Sequence, residues 1–299
     1  MFKNQATYIL FLMLLISNYA GAQATDIPPS NISVEIYNLN SKLATKSEYV
    51  ISALVGYYWY AEPTLGLDHT GNKYGIDFSA TKKISNQYFI NGSLLYKNGT
   101  VDYSATNFGT AGGQPNRYYE LFTTIGKDIA INEDNYISPY IGLGYRNLYH
   151  DSKGQTTTGA YGYRRTQEYY YIPIGLNHKT GLNLLKKQGV LESTIEYDYL
   201  LAGKNNTKYS DAIYSGYSNY SVTRADDLYF TQKSGFGVKL STIYKFDQWS
   251  IGPYLNYWRI QNSDTTSAVY VVEGSTTTSS FKEPTNTTME FGLKAGYRY

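Results

Sequence analysis

The chain has 299 residues, no cysteine, and 26 basic against 24 acidic side chains, a formal charge of +2. That near-balance leaves no basic footprint for nucleic acid, and the absence of thiols excludes a disulfide framework and thiol chemistry. Mean hydropathy is −0.42, and no apolar run reaches the ~18–20 residues that a spanning helix needs.

Thirty-five tyrosines and 27 glycines need a physical reason. Phenol rings suit a membrane–water boundary, and small residues suit a crowded interior. The start reads as a secretory signal: Lys3 supplies the positive end, Tyr8 to Ile16 (YILFLMLLI) the apolar core, and Ala20-Gly21-Ala22 or Ala22-Gln23-Ala24 the cleavage site. Residues 1–24 are therefore expected to be a signal peptide, and with no cysteine after them no lipid anchor is expected. Residues 25–47 open on Pro28-Pro29 and continue polar and mixed, with a brief alternation at Ile32, Val34 and Ile36. They read as an N-terminal extension, periplasmic in the arrangement that follows.

From Tyr49 the chain alternates in twos. YVISALVGYYWY (49–60), KYGIDFSATK (73–82), QYFINGSLLYK (87–97), YYELFTTIGK (118–127) and YISPYIGLGYR (136–146) each put apolar residues on one face and small or charged residues on the other. EYYYIPIGLNHK (168–179), VLESTIEYDYLLAG (190–203), SGFGVKLSTIYKF (234–246), WSIGPYLNYW (249–258) and MEFGLKAGYRY (289–299) do the same. Pro139, Pro173 and Pro253 lie inside these runs, where each removes a ladder donor and marks a bulge or weakened pairing.

The ten runs are joined by connections that alternate long and short. The long ones are polar and rich in Gly, Thr, Asn and Ser, and they follow the odd-numbered runs. The link after the sixth, about a dozen residues, fits this alternation least well. Short turns on one side and long loops on the other describe an up-and-down transmembrane barrel with both ends in the periplasm. The predicted fold is thus all-β, an antiparallel barrel of ten strands over 48–299. A soluble sandwich has no reason to sort its loops this way.

The aromatics sort as well. Tyr74, Tyr96, Tyr119, Tyr145, Tyr170, Tyr199 and Tyr257 fall at outward positions near the long loops, and Tyr88, Tyr244, Trp249 and Tyr299 near the short turns. Two girdles around an Ile/Leu/Val band are what a bilayer selects. The inward positions collect Asp77, Glu120, Arg146, Glu192, Glu196, Asp198, Lys239, Glu290, Lys294 and Arg298. A barrel this narrow is filled by its own side chains, and buried like charges demand partners. The expected lumen is charge-paired and closed, with Lys294 and Arg298 of the last strand balancing Glu192, Glu196 and Asp198. A narrow conducting pore is the alternative.

Catalytic patterns are thin. Asp68-His69 and Asp151-His150 are adjacent couples in expected loop and rim positions. Outer-membrane proteases of the omptin class set an Asp–His couple opposite an Asp pair, and only one half of that arrangement is present. A lipid-cleaving Ser/His/acid set on the wall is not formed either, since His178 falls at the short-turn end. Three scattered histidines make no transition-metal site. Asn98, Asn205 and Asn286 begin Asn-x-Thr triplets, which mark surface loops.

The blocks PYIGLGYRNLYHDSKGQTTTGAYGYRR, YYYIPIGL, EYDYLLAGK, LNYWRIQNSD and TMEFGLKAGYRY resemble a family of exported bacterial proteins described only as outer-membrane β-barrel proteins, small porin-like or OmpA-like barrels. The resemblance runs from about Tyr57 to Tyr299 and implies location and fold, with no activity attached. The final alternating strand is similar to the signal by which such barrels reach the barrel assembly machinery. The expectation is a non-enzymatic outer-membrane protein without cofactor, embedded in lipid and lipopolysaccharide. Its candidate contact stretches for a surface ligand are 206–231 and 262–286. A small channel and an omptin-like surface protease are the alternatives.

Overall fold

A computed structural model describes residues 43–184, 186–212 and 222–299; the expected signal segment 1–24 and residues 25–42 of the expected extension lie outside them. The strands in chain order are β1 (Glu48–Glu62), β2 (Leu67–Lys83), β3 (Tyr88–Ala105), β4 (Gly109–Lys127), β5 (Ile129–Asn132), β6 (Asn135–Gln155), β7 (Tyr161–Leu184) and β8 (Lys187–Thr207). They continue as β9 (Val222–Ala225), β10 (Leu228–Gln232), β11 (Gly235–Phe246), β12 (Trp249–Ile260), β13 (Thr265–Val272), β14 (Ser275–Lys282) and β15 (Asn286–Arg298).

Ten of these close into a barrel, each antiparallel to its neighbours, in the order β1-β2-β3-β4-β6-β7-β8-β11-β12-β15. β15 returns to β1 with Ala53 opposite Ala295 and Tyr58 opposite Glu290, so the wall has no free edge there. β5 carries the line of β4 past Asp128 along β6, and β10 carries that of β11 along β8. β14, β13 and β9 form a separate three-stranded sheet.

Among the described residues the polar connections are largely strand. β7 has 24 residues and β6 and β8 have 21 each, whereas about 9–11 tilted residues cross a bilayer. The surplus continues the ladder outward: Leu67 to Asn72 pair with Tyr57 to Glu62, and Gly109 to Tyr118 pair back onto β3. Tight tips close these hairpins, one a 3-10 turn at Pro63–Leu65 followed by Gly66 at φ 57°, another at Gly109 with φ 74°. Residues 62–72, 98–116 and 147–165 therefore correct the loop reading. Thr and Tyr extend readily, and with both faces above the membrane these stretches show no apolar alternation to betray the strand. The stretch 262–286 is likewise a hairpin, β13 on β14. The link after the sixth barrel strand is short, because β7 runs on to Leu184 and β8 begins at Lys187.

The prolines interrupt pairing. The β11–β12 ladder lacks the pairs between Ser241↔Tyr254 and Tyr244↔Ile251, beside Pro253, and the β6–β7 ladder those between Ile141↔Ile174 and Gly144↔Tyr171, beside Pro173, with the register kept across both gaps. Pro139 lies where β6 passes from β4 to β5.

Candidate functional site

Alternation sends one face of every strand inward, and the interior fills in layers. At the periplasmic end, Lys245 lies between Glu192 (3.1 Å) and Glu48 (3.5 Å), Arg298 holds Glu48 at 2.9 Å, and Lys294 pairs with Asp77. Asp77 also accepts a hydrogen bond from Ser93 at 2.6 Å. One level up, Lys239 serves three acids: Glu120, Glu196 at 3.0 Å and Asp198 at 3.3 Å. Tyr171 and Tyr140 donate to Glu120 (2.6 Å) and Glu196 (2.7 Å). Higher still, Lys97 pairs with Glu290, which takes hydrogen bonds from Tyr254 at 2.8 Å and Tyr118 at 2.9 Å. Burying so much charge is tolerable only because each carboxylate meets a cation or a phenol.

These layers surround a vestibule of about 360 Å³, lined from Lys46 and Glu48 at the mouth to Lys97, Glu120 and Tyr254 at its inner end. Above it the lumen is solid. Tyr118, Leu148, Tyr169, Tyr171, Leu200, Trp258 and Ile260 pack together with Leu95 against them. Gly144 leaves the space that the Tyr171 ring fills. Arg146 threads this plug as a cation over rings, 4.8 Å from Tyr118 and 5.4 Å from Trp258.

Beyond the plug, above the outward tyrosines, the long hairpins enclose a second polar cluster. Arg165 bridges Glu62 (2.8 Å) and Glu283 (3.1 Å). His69 and His150 meet edge to face with centroids 4.4 Å apart, and Gln114 bonds His150 at 2.9 Å. Burial, with Arg165 and Lys73 nearby, pulls His69 down to about 3, and burial beside His69 and Arg165 holds His150 well below its usual range. Burial pushes Glu283 up to about 7 against the pull of Arg165. Both imidazoles are therefore neutral at pH 7.

This corrects the view of Asp68-His69 as loop composition. His69 is buried, 5% exposed, while its neighbour Asp68 points to the other face and accepts from the Trp59 indole at 3.1 Å. Asp151 likewise turns outward, accepting from Tyr149 at 3.3 Å. Neighbours along a strand face opposite ways, so neither Asp–His couple forms. His178 stands on the outer wall, since Asn177 and Lys179 on either side of it line the vestibule. Among the described residues no group of three or more His, Asp or Glu gathers to hold a metal ion.

All ten inward charges named from the sequence lie in the interior, but their partners differ from the expected ones. Lys294 and Arg298 serve Asp77 and Glu48, and the Glu192, Glu196 and Asp198 set is served by Lys239 and Lys245 of β11. Arg146 stands directly across the ladder from Glu120, yet it packs on rings. Sequence reading missed Glu48, Lys73, Lys97, Lys179 and Lys245, which are inward by the same parity, and Asp128, which falls at a ladder break.

On the outer wall, Tyr74, Tyr96, Tyr119, Tyr170 and Tyr199 are exposed near one end and Tyr88, Trp249 and Tyr299 near the other, with Tyr145 and Tyr257 half-buried. Ile76, Leu94, Ile125, Leu143, Ile195 and Leu293 lie exposed between them. Tyr244 is the correction. The end of the β7–β8 hairpin covers it, and its hydroxyl donates to the Lys187 carbonyl at 2.6 Å and accepts from the Leu184 N–H at 3.3 Å.

No family model matches the chain, and no curated protein does. Among solved structures it is similar to the outer membrane protease OmpT from Escherichia coli, at 12% identity and TM-score 0.56 over 87% of this chain and 99% of that one. It also aligns with the transport unit of the autotransporter AIDA-I from Escherichia coli (10% identity, TM-score 0.41, 89% and 94% covered). A third is the translocator domain of the autotransporter NalP from Neisseria meningitidis (12%, 0.39, 85% and 90%). At such identities the likeness is one of fold: the chain is built as an outer-membrane β-barrel closed by ten antiparallel strands.

Proposed function

We propose that the chain works in the bacterial outer membrane as a non-enzymatic barrel with a closed interior, presenting its long outer hairpins to a surface or envelope partner. The observation that carries this reading is the plug. Trp258 and Tyr118 are each 2% exposed and Tyr171 is fully buried, at a level where a pore would need water. The exposed apolar belt supports a surround of lipid and lipopolysaccharide, and delivery by the barrel assembly machinery follows from the same placement. The outward hairpins and the sheet of β9, β13 and β14 are the surfaces offered. Against a surface protease stands the separation of Asp68 from His69 on opposite faces.

The vestibule favours a second reading, a small channel whose plug moves aside. Planar-bilayer recording of the refolded barrel separates the two. A flat baseline across the physiological voltage range is expected, and stable discrete openings would overturn the closed-barrel reading.

A further inference from the structure

The five residues ahead of β1 enter the barrel, where they meet a site built for them. Asp128, 2% exposed, interrupts the ladder between β4 and β5 and turns its carboxylate inward. Its Oδ2 accepts the Thr45 N–H at 2.6 Å and its Oδ1 the Thr45 hydroxyl at 2.9 Å. Ser138, fully buried, donates to the same carboxylate at 2.6 Å, and Lys179 reaches both Asp128 (3.2 Å) and Thr45. Leu43 and Ala44 are buried against Tyr136, Ala130 and Val190, and Ser47 accepts the Lys83 N–H at 3.0 Å.

The positions of these contacts around the ring decide what the segment does. Glu48 starts on β1, whereas Tyr136 and Val190 belong to β6 and β8, halfway round the barrel. Five extended residues reach roughly 17 Å, enough to cross the mouth. Leu43, Ala44, Thr45 and Lys46 line the vestibule together with Lys179, Val190 and Lys245. A polar tether at Asp128 with an apolar foot at Leu43 and Ala44 holds the crossing in one place, since an ionised carboxylate buried without its donors would be costly.

The geometry points to a latch: residues 43–47, pinned by the Asp128 carboxylate, strap the periplasmic mouth and govern access to the vestibule. This is independent of whether the plug above conducts. A chain without cysteines allows a direct test by single-thiol labelling with a water-soluble maleimide on the refolded full barrel. Ala44→Cys, in the strap, should label roughly tenfold or more slowly than Lys46→Cys on its exposed side, because labelling requires local opening. Ser79→Cys reads access to the vestibule itself. Adding Asp128→Ala should raise the rates at both Ala44→Cys and Ser79→Cys by about tenfold or more, the scale of a lost charged hydrogen-bond set, with closure of the barrel checked by heat-modifiable gel mobility. Equal labelling of Ala44→Cys and Lys46→Cys would overturn the latch. So would a folded Asp128→Ala barrel in which Ser79→Cys labels at an unchanged rate. If that variant does not fold, the comparison of Ala44→Cys with Lys46→Cys decides alone.

Discussion

Replacing Lys239 with methionine strikes the most connected charge in the barrel. The side chain keeps most of its length and an apolar stem but loses the ammonium shared by Glu120, Glu196 and Asp198, the last two at 3.0 and 3.3 Å. At an effective dielectric of about 20, a contact near 3 Å carries about 5 kcal/mol of gross attraction, offset by desolvation and by repulsion among the acids. Removal of one partner from such a buried set costs about 3–5 kcal/mol net, because the remaining charges stay behind unpaired. The three acids are all nearly buried, at 4%, 7% and 0% exposure, so water cannot take over. Equilibrium unfolding in denaturant, with the barrel refolded into lipid vesicles, measures the loss. Lys239→Arg should fall between the two proteins. A loss below about 1 kcal/mol, the scale of an exposed pair, would refute the claim that Lys239 holds these acids together.

Wall parity gives a second test: Ile195→Arg, on a position 56% exposed to lipid, should cost about 2–4 kcal/mol in the same assay. Thr194→Arg points into the vestibule and should cost clearly less; equal losses would dissolve the inside–outside assignment. Trp258→Ala should cost about 3–5 kcal/mol by emptying the plug, and combined with Tyr171→Ala it should turn a flat bilayer baseline into measurable conductance. Silence from a folded double variant would mean that the outer cluster seals the lumen independently. The histidine pair sets a pH limit. His69 titrates near 6.5 unfolded and about 3 folded, so below pH 6.5 the unfolded chain binds more protons and stability falls with pH, by about 2 kcal/mol at pH 5 from this residue. His69→Gln should flatten that slope in pH-dependent unfolding, and an unaltered slope would place the acid sensitivity elsewhere.

Sequence and tertiary structure divide the determination of this protein along a clear line. Alternation is local: with a period of two, each residue's choice of lipid or lumen is written in its neighbours, so Ile195 out and Glu196 in, or Leu293 out and Lys294 in, can be read without coordinates. The strand count and the up-and-down barrel follow from those runs and the spacing between them. The hairpin extensions stay hidden because both their faces lie beyond the membrane, and His69 looks like loop composition until the ladder through residues 67–72 buries it. Partner choice is beyond local pattern altogether. Lys97 meets Glu290 across 193 positions and Lys294 meets Asp77 across 217, contacts that exist only because β15 closes on β1 and fixes the register of the ring. Closure likewise brings Thr45 to Asp128, and packs Trp258 of β12 against Tyr171 of β7. The sequence by itself determined a wall and which side of it each residue takes. What meets across the interior, and where that interior is shut, was decided by the tertiary structure, because those distances are set by the circumference of a closed sheet.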